Sequence, residues 1–183
     1  MISASAQLRR LATAALAATL LLPSSAQAQD DAKAFVDRFL AVYHSQFEQE
    51  EERSAEWDPV AAVAAFFTPQ LARALAEDRA AAVASTEEIV GLDFDPFSNS
   101  QDPCETYRTG RSAQRADTVM VEILGDCHGQ IPLIPDAVFL LVRRDGSFAI
   151  ADIAYPQGGS LLGILRHLAE MRRQSPPTLE ALR

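Results

Sequence analysis

The hydrophobic period of this chain changes once, near residue 100, and that change limits the fold more than any other feature. Before it, apolar residues recur at helical spacing. Phe35, Phe39, Tyr43 and Phe47 stand four apart, with Val36 and Leu40 widening the stripe. After it, apolar residues alternate, so that Val119, Val121 and Ile123 interleave with Met120, Glu122 and Leu124. Helices followed by strands joined by short turns give an α+β layout. The expected architecture is a set of N-terminal helices on one face of a curved antiparallel sheet of about four strands, cone-like, with a C-terminal helix.

Local signals place the elements. Asp30 and Asp31 can cap the first helix, which runs out in Glu48-Gln49-Glu50-Glu51-Glu52, where acids oppose the helix dipole. Asp58-Pro59 opens a helix through Phe67, and Thr68-Pro69 opens another to about Ala84. Ser85 or Thr86 can cap one more turn, Glu87 to Val90, before Gly91. Strands are expected over Cys104–Gln114, Thr118–Asp126, Ala137–Arg144 and Ser147–Tyr155, with Asp145-Gly146 as a hairpin turn. A last helix starts at Ser160 with Leu161, Ile164, Leu165, Leu168 and Met171 along one face. It ends in Arg172-Arg173 ahead of Pro176-Pro177.

The N-terminus reads as an export signal. Arg9 and Arg10 precede an apolar run, Leu11 to Leu22, that is too short to span a bilayer. Pro23-Ser24-Ser25 breaks it, and Ala26-Gln27-Ala28 fits the small-x-small cleavage rule. The expected organisation is a signal peptide at 1–28, a single domain at 29–173 and a flexible tail at 174–183. No cysteine follows the apolar run, which argues against a lipoprotein, and no later segment is apolar enough to cross a membrane. The expected location is the periplasm, or outside the cell.

Charge and cysteines narrow the partners. The formal net charge of −9 argues against nucleic acid. Residues 29–103 hold 16 acids against 5 bases, whereas residues 104–183 hold 9 of each. The excess serves solubility or forms a face for a cationic partner. Cys104 and Cys127 are the only cysteines, and in an oxidising compartment such a pair forms one disulfide.

The stretch Leu92 to Cys104, LDFDPFSNSQDPC, crosses from the helical half to the strands. Counted from Asp93 as an EF-hand, it has Phe97 at a ligand position, Ser98 for the glycine and Cys104 for the closing glutamate. An EF-hand is therefore excluded. An irregular oxygen site using Asp93, Asp95, Asn99 and Asp102 is the remaining metal reading. The structural reading is a clamp, in which Leu92, Phe94 and Phe97 bury while Asp93, Asp95 and Asn99 accept backbone N–H groups. We expect the clamp, with no metal and no cofactor. Cys127-His128 with Cys104 lacks the further ligands a zinc site needs.

Asp152 is the single residue most open to a chemical role. By strict alternation it shares a face with Phe148 and Ile150, and a carboxylate on a buried face is a general-base candidate. A backbone N–H or an arginine on a neighbouring strand could equally satisfy it. Arg108, Arg111, Arg115, Arg143 and Arg144 all lie on strands. Tyr43 and Tyr155 are the other residues expected to line a pocket with Asp152. His44 lies off the main stripe and reads as surface, and His167 reads as a packing residue. Gln157-Gly158-Gly159-Ser160 reads as a turn plus helix cap. The chain has no Gly-x-Ser-x-Gly, His-Glu-x-x-His or nucleotide fingerprint.

The segments FFTPQLARALAEDRAA, LDFDPFSNSQDP and FAIADIAYPQGGSLLGIL resemble a family of bacterial envelope proteins known as domain of unknown function 3828. The resemblance spans roughly Asp31 to Leu168. It implies the cone-shaped α+β fold of the nuclear-transport-factor-2-like superfamily, which holds isomerases and dehydratases beside non-enzymatic binding domains. It supplies no catalytic residues, and fold alone does not give function. Two functions follow as expectations. The first is a non-catalytic module that binds a small molecule or an envelope protein. The alternative is a cone-fold lyase or isomerase with Asp152 as base. An open cone holding Asp152 would favour the enzyme; a filled cone with an exposed apolar patch would favour a protein partner.

Cleavage after Ala28 predicts that protein recovered from cells begins at Gln29. Intact mass measurement of the periplasmic fraction checks this, and retention of Met1 there would refute it.

Overall fold

A computed structural model describes residues 25–48, 58–85 and 90–174. It contains helices α1 (Ser25–Glu48), α2 (Pro59–Ala62) and α3 (Pro69–Ala84), then strands β1 (Thr106–Arg115), β2 (Thr118–Asp126), β3 (Ala137–Arg144) and β4 (Ser147–Ala154), then helix α4 (Leu161–Gln174). The strands form one antiparallel sheet in the order β1-β2-β3-β4. The protein is thus α+β, with helices packed on a four-stranded open sheet and a helix at the C-terminal side. The apolar run before Ser25, the acidic run after Glu48, the turn at 86–89 and the tail from 175 lie outside the described residues. Among the described residues, no helix is long and apolar enough to cross a membrane.

The stripe on α1 packs on the sheet face that carries Val121, Ile123, Phe139, Leu141, Ile150 and Ile153, all fully buried. Phe39 sits at the centre. Its ring centroid lies 5.0 Å from that of Phe97, 5.5 Å from Phe139 and 5.8 Å from Phe67. These edge-on and tilted contacts are favoured arrangements for aromatic pairs. They occupy the space that a curved sheet can leave open, so the interior beneath α1 is filled.

Helix α1 starts earlier than its acids predict. It begins at Ser25, so Asp30 and Asp31 lie inside it, and Gln27 Nε2 donates to Asp31 Oδ1 at 2.9 Å across one turn. The expected cleavage point after Ala28 therefore falls in the first turns of this helix, where Ala28 is buried.

The helix expected from Asp58 to Phe67 is broken instead. Asp58 caps α2 through its Oδ1, which accepts the N–H groups of Val60 and Ala61 at 3.0 and 3.1 Å. A 3₁₀ turn, Ala64–Phe66, follows, and Phe67 becomes extended. Phe67 bridges Ile150, and Thr68 N–H donates to the Ile150 carbonyl at 2.9 Å. Strand β4 is a sheet edge with groups left unpaired by β3, and this segment covers part of it. Edge coverage and the burial of Phe67 outweigh local helix propensity here.

Strand β4 carries a bulge that overturns one expectation. Ile150 stands opposite Leu141, yet Asp152 stands opposite Leu140, leaving Ala151 as the extra residue. One inserted residue reverses the side-chain parity beyond it. Ile153 therefore joins Phe148 and Ile150 on the buried face, and Asp152 lies on the opposite face beside Leu140.

Helix α4 buries Leu161, Leu162 and Leu165, while Met171 is exposed. Ser160 Oγ accepts the Gly163 N–H at 3.3 Å, as a cap should. The helix is held to α3 by charge. Arg172 Nη1 lies 2.6 Å from Asp78 Oδ1 and donates to the Val90 carbonyl at 2.7 Å. Asp78 Oδ2 accepts the Leu92 N–H at 2.9 Å. This buried carboxylate fixes α3, α4 and the start of the 92–104 connection together.

Cys104 and Cys127 form a disulfide across the end of the β1–β2 pair, with Cα atoms 4.7 Å apart. Strand β1 starts at Thr106, past this bond, where Cys104 N–H donates to the Tyr107 hydroxyl at 2.7 Å. Gly125 makes room for the bond: a Cβ there would lie 2.6 Å from Cys104 Sγ and 3.1 Å from Asp136 Oδ2. The loop closed is about two dozen residues, for which chain entropy gives roughly 3 kcal/mol of stabilisation. Cys104→Ser should lower the melting temperature of oxidised protein by roughly 5–10 °C, given the usual scaling for a domain of this size. It should leave reduced protein nearly unchanged. Two titratable thiols in native, non-reduced protein would contradict the assignment.

Candidate functional site

The 92–104 connection is built around one carboxylate. Asp95 Oδ1 accepts the Phe97 N–H at 2.8 Å and the Tyr43 hydroxyl at 3.2 Å. Its Oδ2 accepts the Ser98 hydroxyl at 2.8 Å. The Asp95 N–H donates to the Ser100 carbonyl at 2.8 Å, closing the turn. Phe97, between these bonds, is only 1% exposed and enters the core against Phe39 and Tyr43. Tyr155 holds the other side, its hydroxyl donating to the Pro96 carbonyl at 2.9 Å.

The remaining polar residues of the motif divide differently from expectation. Asn99 has a left-handed backbone (φ 56°) that asparagine tolerates. It acts as a donor: Nδ2 reaches the Asp136 carbonyl at 3.2 Å and Gln157 Oε1 at 2.9 Å. Asp93 and Asp102 are exposed. The clamp bonds fall on Asp95 and Asn99. Among the described residues, no three His, Cys, Asp or Glu side chains gather as a metal site.

The two phenols are fixed as donors. Burial pushes the Tyr43 hydroxyl well above its usual range, and the Asp95 carboxylate beside it pushes the same way. Burial does the same to Tyr155, reinforced by the charges of Asp152 and Asp95. Neither hydroxyl can supply a base near neutral pH. Asp152 is also engaged, its Oδ1 accepting the Ile153 N–H at 2.8 Å and the Leu162 N–H at 2.9 Å. That ties β4 to the first turn of α4. The structure thus places Tyr43 and Tyr155 on either side of the motif and Asp152 on the far face of the sheet. The three do not converge.

Other singled-out residues settle as follows. His44 is half-buried and stacks on Tyr107 at 5.4 Å, so it is not a plain surface residue. His167, expected to pack, is exposed. Arg111 meets Glu122 at 2.8 Å and Arg144 meets Asp145 at 3.6 Å, while Arg143 lies over the Phe148 ring. His128 Nδ1 lies 2.8 Å from Glu105.

Two features were not read as sites from the sequence. The first is a cleft of about 380 Å³ between the end of α1, helices α2 and α3, and the 92–104 connection. Its walls include Phe47, Leu75, Leu92, Phe94, Pro96 and Pro103, and Tyr43 and Asp95 line it too. A neighbouring hollow of about 340 Å³ shares Tyr43, Phe47, Asp95 and Pro103 and extends to Cys104 and Glu105. Helical spacing assigns Phe47 to the core stripe, but it is 38% exposed. The acidic run directly after it is the available signal that the stripe has reached the surface.

The second feature is the loop between β2 and β3. Leu133 is 99% exposed, Ile134 67% and Ile131 43%. The base of the loop is braced. Cys127 and Gln130 exchange backbone bonds around His128 and Gly129, both at positive φ. Asp136 Oδ2 accepts the Gly125 N–H at 2.6 Å, and Asp136 N–H donates to the Ile123 carbonyl at 2.9 Å. Proline punctuation marks the segment as a loop in the sequence; its three large apolar residues were the further signal.

Comparison of the chain with protein-family models, curated proteins and solved structures gives no match.

Losing the Asp95 carboxylate would leave Phe97 N–H and two hydroxyls without their acceptor, at about 1–3 kcal/mol for each buried donor. Asp95→Ala should therefore lower the melting temperature by roughly 5–15 °C. The fall should be the same in chelator and in millimolar-range calcium. A large calcium-dependent rise in the wild-type melt, absent from Asp95→Ala, would show a metal loop instead.

Proposed function

We propose that this chain is an exported, non-catalytic domain that docks an envelope protein through the Cys127–Asp136 loop. The observation that carries this reading is the exposure of Leu133, Ile134 and Ile131 on a loop whose base is locked. Large apolar side chains grouped in water mark interaction sites. A loop braced at its base also loses less entropy on binding than one free at both ends. The filled interior beneath α1 favours this reading over a cone-fold lyase, as does the placement of Asp152 on the opposite face.

Charge speaks for a protein rather than a lipid surface. From Ala116 to Val142 there is no Lys or Arg, and Asp117, Glu122, Asp126 and Asp136 are all acidic. Membrane-surface segments draw on basic residues to approach anionic lipid. The fitting partner is an apolar pocket with a basic rim. Export is supported by the Arg9-Arg10 leader with Ala26-Gln27-Ala28, and by a disulfide of the kind that persists in oxidising compartments.

A photo-reactive residue at Gln130 tests the docking in intact cells. It should yield one discrete crosslinked envelope protein, with the attachment mapping beside Lys or Arg. Leu133→Asp should remove that product while shifting the melting temperature by no more than about 2 °C, as surface changes do. An unchanged product in Leu133→Asp, or flotation of wild-type protein with phosphatidylglycerol vesicles, would overturn the reading.

A further inference from the structure

We propose that the Tyr43–Asp95 cleft is a second, separate binding site, and that it takes an apolar cation: an amine or quaternary ammonium attached to an alkyl or aromatic group. The proposal stands independently of the loop.

The size is right for a small ligand, since the cleft holds about 380 Å³ and its neighbour about 340 Å³. The walls are right for an apolar body. Phe47 is left 38% exposed at the mouth with its ring edge-on to Tyr43, centroids 5.1 Å apart, and Leu92, Phe94 and Pro103 face the same space. Aromatic faces attract cations as well as apolar surface.

The charges select the sign. The two hollows are lined by Asp58, Asp78, Asp95 and Glu105 against Arg79. Arg79 Nε already faces Asp58 Oδ2 at 3.8 Å. Asp78 is matched by Arg172 at 2.6 Å. Counting those pairs out leaves Asp95 and Glu105 facing the cavity, with His128 beside Glu105 at 2.8 Å. An anionic ligand would meet Asp95 and Glu105; a cation would meet a favourable field.

Asp95 is suited to orient such a group. Three donors already fix its carboxylate, so it needs no reorganisation when a ligand arrives. Tyr43 is buried and its hydroxyl is held as a donor to Asp95, so it offers the cavity no free hydroxyl.

Calorimetric titration with three eight-carbon probes tests the assignment: octyltrimethylammonium, octanol and octyl sulfate, each below its micelle concentration. Octyltrimethylammonium should bind at least about tenfold tighter than the other two, with affinity falling as salt rises. Phe47→Ala, at a partly exposed position, should weaken it about tenfold. Asp95→Asn should do so as well while retaining an acceptor for Phe97 N–H, and Leu133→Asp should bind as wild type. Equal binding of all three probes would overturn the cation selectivity. Absence of binding, or loss of binding in Leu133→Asp, would overturn the site.

Discussion

The Asp95 carboxylate is the point on which the rest of the structure depends. A helical layer and a sheet made from successive halves of a chain must be joined by a connection that does not drift. Here the connection is tied to α1 by the Tyr43 hydroxyl and to itself by the Phe97 N–H and the Ser98 hydroxyl. Those bonds aim Phe97 into the centre of the core, where it touches Phe39, Tyr43 and Phe67. A carboxylate taken partly out of water is costly unless donors reach it, and here three do. The same bonds fix the connection against α1.

Much of this was legible in the sequence, and the exceptions have physical causes. Strands β2 and β3 match the alternation to the residue, because each is bounded by turn residues and paired on both sides. The helices fail where tertiary contacts intervene. The region after Asp58 reads as helix, but Phe67 is recruited to the β4 edge, a demand invisible to a local window. Asp152 fails for a subtler reason. Alternation predicts its face only if the strand is regular, and one extra residue at Ala151 moves it to the other side. Alanine carries no bulge signal, so nothing local warns of it.

The site residues show the same division. LDFDPFSNSQDPC could be recognised as a fixed connection from its mixture of apolar, short acidic and proline residues. Which acid does the fixing could not: Asp93, Asp95 and Asp102 look alike in sequence, and the bonds from Tyr43, Phe97 and Ser98 distinguish Asp95. Contacts between residues 52 positions apart are set by packing, not by spacing. The cleft was missed because its walls come from α1, α2, α3 and the connection, each apolar for reasons that also fit a core.

The disulfide joins the loop and the hollow beside Asp95. Cys104 lines the hollow beside Asp95, and Cys127 begins the loop that presents Leu133. A second tie runs in parallel, from Asn99 in the connection to the Asp136 carbonyl at the far base of the loop. Gly125 is where these ties crowd together, close to Cys104 Sγ, the Tyr107 ring and Asp136 Oδ2. Two ties of different chemistry, one covalent and one hydrogen-bonded, hold the base of the loop to the connection, so neither depends on the apolar tip of the loop for its place.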